Sequence, residues 1–189
     1  GNMRIQTVGD PNLFDTDIGP IINDKAYKKL NSYISLCSGK GYKIHQPCER
    51  VSDRHIAPTL IEINAISDIK EEQFGPILHI LKYSSNEIDE LINQINKSEY
   101  GLTMGIHSRI EARANYMSSK SNIGNVYINR DMVGAVVGSQ PFGGIGLSGS
   151  GFKAGGPNYL LQFVNEKVVS KNSVAFGGNA ELLNIQEDL

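Results

Sequence analysis

The sequence predicts an α/β fold with a parallel sheet and flanking helices, and three observations support this prediction. Residues 77–83 (ILHILKY) are apolar on both faces, as in a strand buried on both sides of a sheet. Apolar residues at helical spacing over 88–95 then predict an amphipathic helix. Residues 102–108 predict a strand, 109–121 a helix and 125–129 a strand. This alternation indicates βαβ units, whose strands run parallel.

The first part of the chain predicts one more helix and two strands. Asn23 or Asp24 provides an N-cap, and apolar residues at helical spacing follow until Gly39. Residues 42–46 (YKIHQ) and 58–64 (PTLIEIN) then each predict a short strand.

Composition narrows the function classes. The chain has 189 residues, of which 40% are hydrophobic and 20% charged, enough for a buried core. The net charge of −2 argues against nucleic acid or an anionic membrane as the main partner. No apolar run approaches the roughly 18–20 residues of a membrane span. We therefore expect a cytoplasmic protein.

The two cysteines are too few for a disulfide framework, which favours a reducing compartment. Cys37 lies on the apolar face of its helix and is expected to be a buried structural thiol. Cys48 could be exposed beside Arg50, but no base is evidently paired with it. The histidines are scattered, and His79 and His107 are expected in the core or on the surface. No spacing resembles a zinc site, so we predict no metal.

Residues 131–157 are glycine-rich and contain GIGLSG (144–149), which matches the G-x-G-x-x-G pattern of dinucleotide-binding turns. That pattern needs a preceding strand, a helix opening on it and an acidic residue about 20 residues later. SQPFGG precedes this copy, SGSGFKAGGP follows it, and the next acidic residue is Glu166. We therefore predict no pyrophosphate site. The segment is either a set of tight turns or a loop whose backbone approaches a small ligand.

EEQFGP (71–76) also has two interpretations. It is either a plain turn before the next strand, or a pair of acidic residues beside an aromatic that holds a sugar hydroxyl.

Three stretches together resemble one family. EEQFGPILHILKY is similar to the E-x-F-G-P segment of the aldehyde dehydrogenase superfamily. Residues 129–163 resemble the substrate loop of the glutamate-γ-semialdehyde (1-pyrroline-5-carboxylate) dehydrogenases. Their sequence is most similar to the dehydrogenase module of the proline utilization A flavoproteins. VGDPNLFDTDIGPIIND (8–24) resembles the G-D-P stretch that follows the catalytic cysteine in that family.

The resemblance implies a two-stage reaction. A cysteine thiolate attacks the aldehyde, a hydride passes to NAD, and water activated by a glutamate releases glutamate from the thioester. In the family, the nucleophile, the base and the NAD domain all precede the G-D-P stretch. Cys37 and Cys48 follow it, so we expect no catalytic residue in this chain. FAD would belong only to a proline dehydrogenase domain outside it.

The resemblance also implies five site residues. Glu72 matches the glutamate that holds the nicotinamide ribose, and Phe74 matches the aromatic beside it. Gly134 and Ala135 match the positions whose backbone N–H groups take the substrate α-carboxylate. Some relatives have Ser where Ala135 stands, so a hydroxyl bond is missing here. Phe142 matches the aromatic that packs on the stem of the semialdehyde.

We therefore expect residues 1–165 to be part of the catalytic domain and residues 166–189 to be an oligomerization arm and tail. The arm at 166–176 would pair with another subunit, and the rest of the polypeptide is a further partner. Nucleic acid would be a partner only if the parent protein carries a separate DNA-binding domain. The alternatives are a stand-alone domain that binds small carboxylates, and a dehydrogenase for another semialdehyde.

Overall fold

The computed structural model describes residues 2–48, 54–132, 134–172 and 175. Ten helices and strands form its framework, in the order α1 (Asp24–Gly39), β1 (Lys43–His45), β2 (Thr59–Glu62), β3 (Ile77–Ile80), α2 (Ile88–Lys97), β4 (Tyr100–Gly101), β5 (Thr103–Ile106), α3 (Glu111–Lys120), β6 (Asn125–Ile128) and β7 (Ile145–Gly146). Three short 3-10 turns accompany them, at Asn2–Arg4, Ile66–Asp68 and Tyr159–Phe163.

Helix α1 begins where its sequence predicts. The Asn23 side chain accepts a hydrogen bond from the Ala26 N–H at 2.8 Å, which is the N-cap bond expected of asparagine. The helix ends at Gly39, and Gly41 then takes a positive φ of 80° that lets the chain turn into β1.

The strands of the described residues form three separate sheets, and the expectation of one parallel sheet is wrong. β1 pairs antiparallel with β2, and β2 pairs parallel with β3. β5 pairs parallel with β6 in a second sheet, and β4 pairs antiparallel with β7 in a third. The helix between β5 and β6 makes the predicted βαβ unit. β3 and β5 are not neighbours, because a cleft separates them.

Three apolar clusters pack the helices against the two larger sheets. α1 packs on the first sheet through Leu30 and Cys37, which meet different parts of it. α2 and α3 cover the β5–β6 sheet, where Ile92, Ile106 and Ala114 are buried. The apolar stripe of α2 is thus the feature that fixes β5 and β6 against their helices.

Part of the predicted arm, residues 173, 174 and 176, lies outside the described residues. Residues 166–172 form neither a helix nor a strand, and the Val168 side chain is 83% exposed. Pairing of the arm with another subunit therefore stays a prediction.

Candidate functional site

The segment that carries Glu72 and Phe74 is fixed by its next two residues. A Cβ on Gly75 would lie 2.6 Å from Leu30 Cδ1, so the absence of a side chain at Gly75 lets the backbone lie close to α1 without displacing Leu30. The Pro76 carbonyl accepts a hydrogen bond from the Thr59 N–H at 2.8 Å, which ties the segment to β2. Phe74 itself is 80% exposed, so its ring faces outward from a firmly seated turn.

Glu72 and Phe74 line one wall of a cleft of about 630 Å³. Ile77 and His79 of β3 continue this wall. The opposite wall contains four residues from β4, β5 and the glycine-rich loop, namely Tyr100, Thr103, Leu147 and Ser148. The structure thus brings the two predicted cofactor residues together beside open space.

His79 is held at this cleft by a tyrosine of α1. The Tyr33 hydroxyl and His79 Nε2 are 2.7 Å apart, and the two rings meet edge to face. Burial lowers the pKa of His79, and it raises the pKa of Tyr33, whose contact with Cys37 adds to the rise. A neutral imidazole that accepts the Tyr33 O–H is the state these shifts favour. The sequence predicts His79 in the core or on the surface. In the structure, His79 lies at the wall of the cleft.

The second predicted group, Gly134 and Ala135, lies on an exposed stretch of the glycine-rich loop. Gly134 has a φ of +96°, and no described atom lies within 4 Å of the position that its Cβ would take. The backbone therefore takes a conformation that favours glycine and has free space beside it.

Backbone pairs stiffen the rest of this loop. Val136 and Gln140 exchange two hydrogen bonds of 3.0 and 2.7 Å, and Phe142 and Ala154 exchange two of 3.1 and 2.8 Å. The loop is therefore ordered around Phe142, although it has few residues in regular strands.

Asn125 at the start of β6 fastens the turn that carries Phe142. Its side chain accepts from the Gly143 N–H at 3.1 Å and donates to the Pro141 carbonyl at 3.0 Å. The Lys153 ammonium donates to the Gly143 carbonyl, and burial lowers the pKa of this lysine. Phe142 is thus bracketed by side chains from two other segments.

Tyr127 of the same strand reaches the loop nearer Gly134. It is 7% exposed, and its hydroxyl donates to the Gly134 carbonyl at 3.3 Å. The Arg130 guanidinium lies 4.9 Å from the centre of the Tyr127 ring and donates to the Gln140 side chain at 2.8 Å. The predicted site residues did not include Asn125 or Tyr127. The signal was the alternation in NVYIN, which places both on the face opposite Val126.

GIGLSG forms a turn against β4 and carries no helix, as its surroundings predict. Gly146 has a φ of +62°, and a Cβ there would overlap the Glu99 carbonyl oxygen. The N–H groups of Leu147, Ser148 and Gly151 all donate to carbonyls of the chain itself. Gly146 thus serves the chain's own close packing, and these three N–H groups are already bonded and unavailable to a phosphate.

The two cysteines have different surroundings within the described residues. Cys37 is buried in the cluster between α1 and the first sheet, as predicted. The Cys48 thiol is partly buried and donates to the Met3 carbonyl at 3.1 Å. Arg50, its predicted neighbour, lies outside the described residues.

The predicted site residues therefore fall into two groups. Glu72 and Phe74 share the cleft, whereas Gly134, Ala135 and Phe142 lie elsewhere on the loop that supplies Leu147 and Ser148 to the opposite wall. In the part of the chain that the structure describes, no group of three or more histidine, cysteine or acidic side chains could hold a metal ion. No helix within those same ranges has the length and apolarity needed to cross a membrane.

The sequence profile of the Aldehyde dehydrogenase family matches residues 2–169. The chain belongs to this family. The aldehyde dehydrogenase resemblance of the E-x-F-G-P and loop segments is thereby confirmed.

Two kinds of relative in this aldehyde dehydrogenase family are similar to the chain. The bifunctional protein PutA of Escherichia coli (strain K12) is 42% identical over 182 residues, which is 92% of this chain and 14% of that protein. A 1-pyrroline-5-carboxylate dehydrogenase of Bacillus subtilis (strain 168) is 36% identical over 170 residues, which is 87% of this chain and 32% of that protein. The chain thus spans a minor part of either relative.

Solved structures of aldehyde dehydrogenases show the same fold. A variant of proline utilization A from Bradyrhizobium japonicum matches with a TM-score of 0.82 and 39% identity, over 92% of this chain and 18% of that one. A 1-pyrroline-5-carboxylate dehydrogenase from Thermus with bound NAD matches with a TM-score of 0.75 and 31% identity, over 86% of this chain and 31% of that one. The mixed parallel and antiparallel pairing is therefore that of an aldehyde dehydrogenase fold.

Proposed function

We propose that this chain is the C-terminal part of an NAD-dependent dehydrogenase that oxidises glutamate-γ-semialdehyde to glutamate in proline catabolism. The observation that carries the proposal is its similarity to both PutA and 1-pyrroline-5-carboxylate dehydrogenase, at 42% and 36% identity. Both relatives extend well beyond the segment that they share with this chain.

The open backbone at Gly134 supports a role in binding the substrate's α-carboxylate. The free space beside its positive-φ backbone admits an anion, and Ala135 lies in the same exposed stretch. A carboxylate accepts bonds from backbone N–H groups without help from a basic side chain. Phe142, fixed by its neighbours, would pack on the aliphatic stem of the same substrate.

The cleft at Glu72 and Phe74 suits the ribose of NAD. Glu72 is exposed at its wall, and a carboxylate accepts hydrogen bonds from two neighbouring hydroxyls. The exposed Phe74 ring gives the sugar a flat apolar surface. When bound, NAD accepts the hydride, and the role of these two residues is to bind and orient its ribose.

The nucleophile and the general base of the proposed reaction would come from outside this chain, because its two cysteines lie after the G-D-P stretch. We therefore propose that the chain alone does not reduce NAD. We also propose that the parent is cytoplasmic and that the arm at 166–176 pairs with another subunit, since an unpaired extended arm is an association hazard.

The substrate is tested in a full-length enzyme that carries this segment. We expect a much higher kcat/KM for glutamate-γ-semialdehyde than for an uncharged aliphatic aldehyde of the same chain length. Phe142→Ala should lower kcat/KM for both aldehydes, since both have the aliphatic stem. Equal efficiency of the unaltered enzyme toward the two aldehydes would contradict the proposed substrate.

The cofactor site is tested with neighbouring carboxylates. Glu72→Ala should raise the KM for NAD, because the ribose hydroxyls lose their acceptor. Glu71→Ala is the matched control, since Glu71 pairs with Lys29 at 2.9 Å on the surface. An unchanged KM for NAD in the Glu72 variant would remove Glu72 from the site.

A stand-alone carboxylate-binding domain is the outcome that calorimetry can reveal. This chain, titrated with glutamate, should show no sub-millimolar binding if it is part of a larger enzyme. Sub-millimolar binding by the chain alone would favour the stand-alone domain.

A further inference from the structure

The peptide unit between Gly134 and Ala135 is bonded at its carbonyl end, and among the described residues no group accepts a hydrogen bond from its N–H end. Its carbonyl oxygen accepts the hydrogen bond from Tyr127, whereas its N–H, which belongs to Ala135, lies in the exposed stretch of the loop. A trans peptide is planar, and its C=O and N–H point in opposite directions. A bond that fixes the oxygen therefore also fixes the direction of the N–H.

The hydrogen bond from Tyr127 matters because the residue that contributes the carbonyl, Gly134, is a glycine. Gly134 takes a φ of +96° and has no described atom within 4 Å of its Cβ position. Glycine populates many backbone conformations, so nothing local to Gly134 keeps the peptide unit from rotating. The hydroxyl of Tyr127 supplies the missing restraint from another element of the fold.

Tyr127 is itself fixed by burial of its ring in the fold and by its contact with Arg130. Its ring is 7% exposed in the central part of β6, and Arg130 covers it at 4.9 Å. Arg130 also donates to the Gln140 side chain, and Gln140 exchanges two backbone bonds with Val136. The ring is thereby tied to the residues that follow Ala135, so its hydroxyl is a fixed point relative to them.

We propose that Tyr127 is a positioning residue for substrate selectivity, which holds the Gly134–Ala135 peptide unit with its N–H directed at the substrate carboxylate. The inference rests on the proposed function, since it needs a carboxylate at this loop. The hydrogen bond also polarises the peptide unit, which strengthens the N–H as a donor.

The test replaces Tyr127 by phenylalanine in a full-length enzyme that carries this segment. The ring stays and the hydroxyl goes. A net contribution of one hydrogen bond corresponds to a roughly 3- to 10-fold rise in the KM for glutamate-γ-semialdehyde. The kcat for this substrate, and the kcat/KM for an uncharged aldehyde of the same length, should stay within about 2-fold. The inhibition constant of the product glutamate should rise with the KM, which reports binding without turnover.

Tyr116→Phe is the matched control, because it removes a tyrosine hydroxyl that bonds to Asp89 on the outer helices. It should change neither aldehyde's kcat/KM. If Tyr127→Phe does not yield folded enzyme, Arg130→Leu tests the same restraint, and the same loss of selectivity is expected.

The outcomes separate the two proposals. An unaltered enzyme without preference for the semialdehyde overturns the proposed function, and the inference with it. A preference that Tyr127→Phe leaves intact overturns the inference alone. Equal losses for both aldehydes also overturn it, because they would show a merely structural role.

Discussion

Asn125 and Gly143 are joined by a hydrogen bond of 3.1 Å from the Gly143 N–H to the Asn125 side-chain oxygen, and the same side chain donates to the Pro141 carbonyl. The two bonds flank Phe142 in the sequence. One strand residue therefore fixes both ends of the turn that presents this ring.

Replacing Asn125 by alanine should destabilise the protein. Two backbone groups lose their partner in a partly buried place, which costs about 1–3 kcal/mol of unfolding free energy. Urea denaturation of the variant and the unaltered protein measures this loss. Asn115→Ala is the matched control, since Asn115 lies on the exposed face of α3. Equal stability of the Asn125 and Asn115 variants would show that the turn around Phe142 does not depend on the two hydrogen bonds of Asn125.

Gly75→Ala should also destabilise the protein. The new methyl group would lie 2.6 Å from Leu30 Cδ1, and Leu30 is 3% exposed within its cluster. Overpacking of this kind costs about 1–3 kcal/mol. The same substitution in a Leu30→Ala background should cost much less, because the opposing atoms are gone. An equal cost in both backgrounds, measured by a double-mutant cycle, would place the strain elsewhere.

Gly146→Ala should lower stability more than Gly39→Ala does. Gly146 has a φ of +62° and its Cβ would overlap the Glu99 carbonyl, so backbone strain and overlap add up to more than about 1 kcal/mol. Gly39 ends α1 with no described atom within 4 Å of its Cβ position, and alanine there should stabilise the helix slightly. Thermal melts of the two variants give opposite shifts if this account is right.

His79 should make stability depend on pH below neutrality. Burial lowers its folded-state pKa, while the unfolded value is near 6.5. The unfolded chain therefore binds more protons below about pH 6.5, so stability is present above that pH and falls as the pH drops toward the folded pKa. His79→Gln should flatten this slope in urea titrations. His107→Gln, at an exposed position, should leave it unchanged. A slope that persists in the His79 variant would assign it to other groups.

The elements that sequence predicts well are those whose signal is local. The Asn23 cap, the stripe of α2 and the alternation in β6 all lie within a few residues of the element that they define. The pairing of β1 with β2 and the separation of β3 from β5 depend on residues far apart in the chain. Periodicity does not carry that information.

The residues of the candidate site also differ in whether a local sequence signal predicts them. Glu72 and Phe74 stand in a short segment whose resemblance is specific, and the structure does place them together. The alternation in NVYIN places Asn125 and Tyr127 on one face of β6, but it does not show which groups they contact. Their partners are backbone groups of a loop, and no side-chain pattern in the sequence marks such a contact.

Gly134 and Gly146 share a positive φ but differ in what lies beside them. We expect this difference to appear in how often each glycine is replaced among related sequences. At Gly146 the neighbour is a carbonyl of the same chain, so any relative that folds this way must keep a residue without a side chain. At Gly134 the neighbouring space is empty in the protein itself. In relatives that act on aldehydes without a carboxylate, a substitution at Gly134 therefore meets only the strain of its positive φ, whereas one at Gly146 also meets the Glu99 carbonyl.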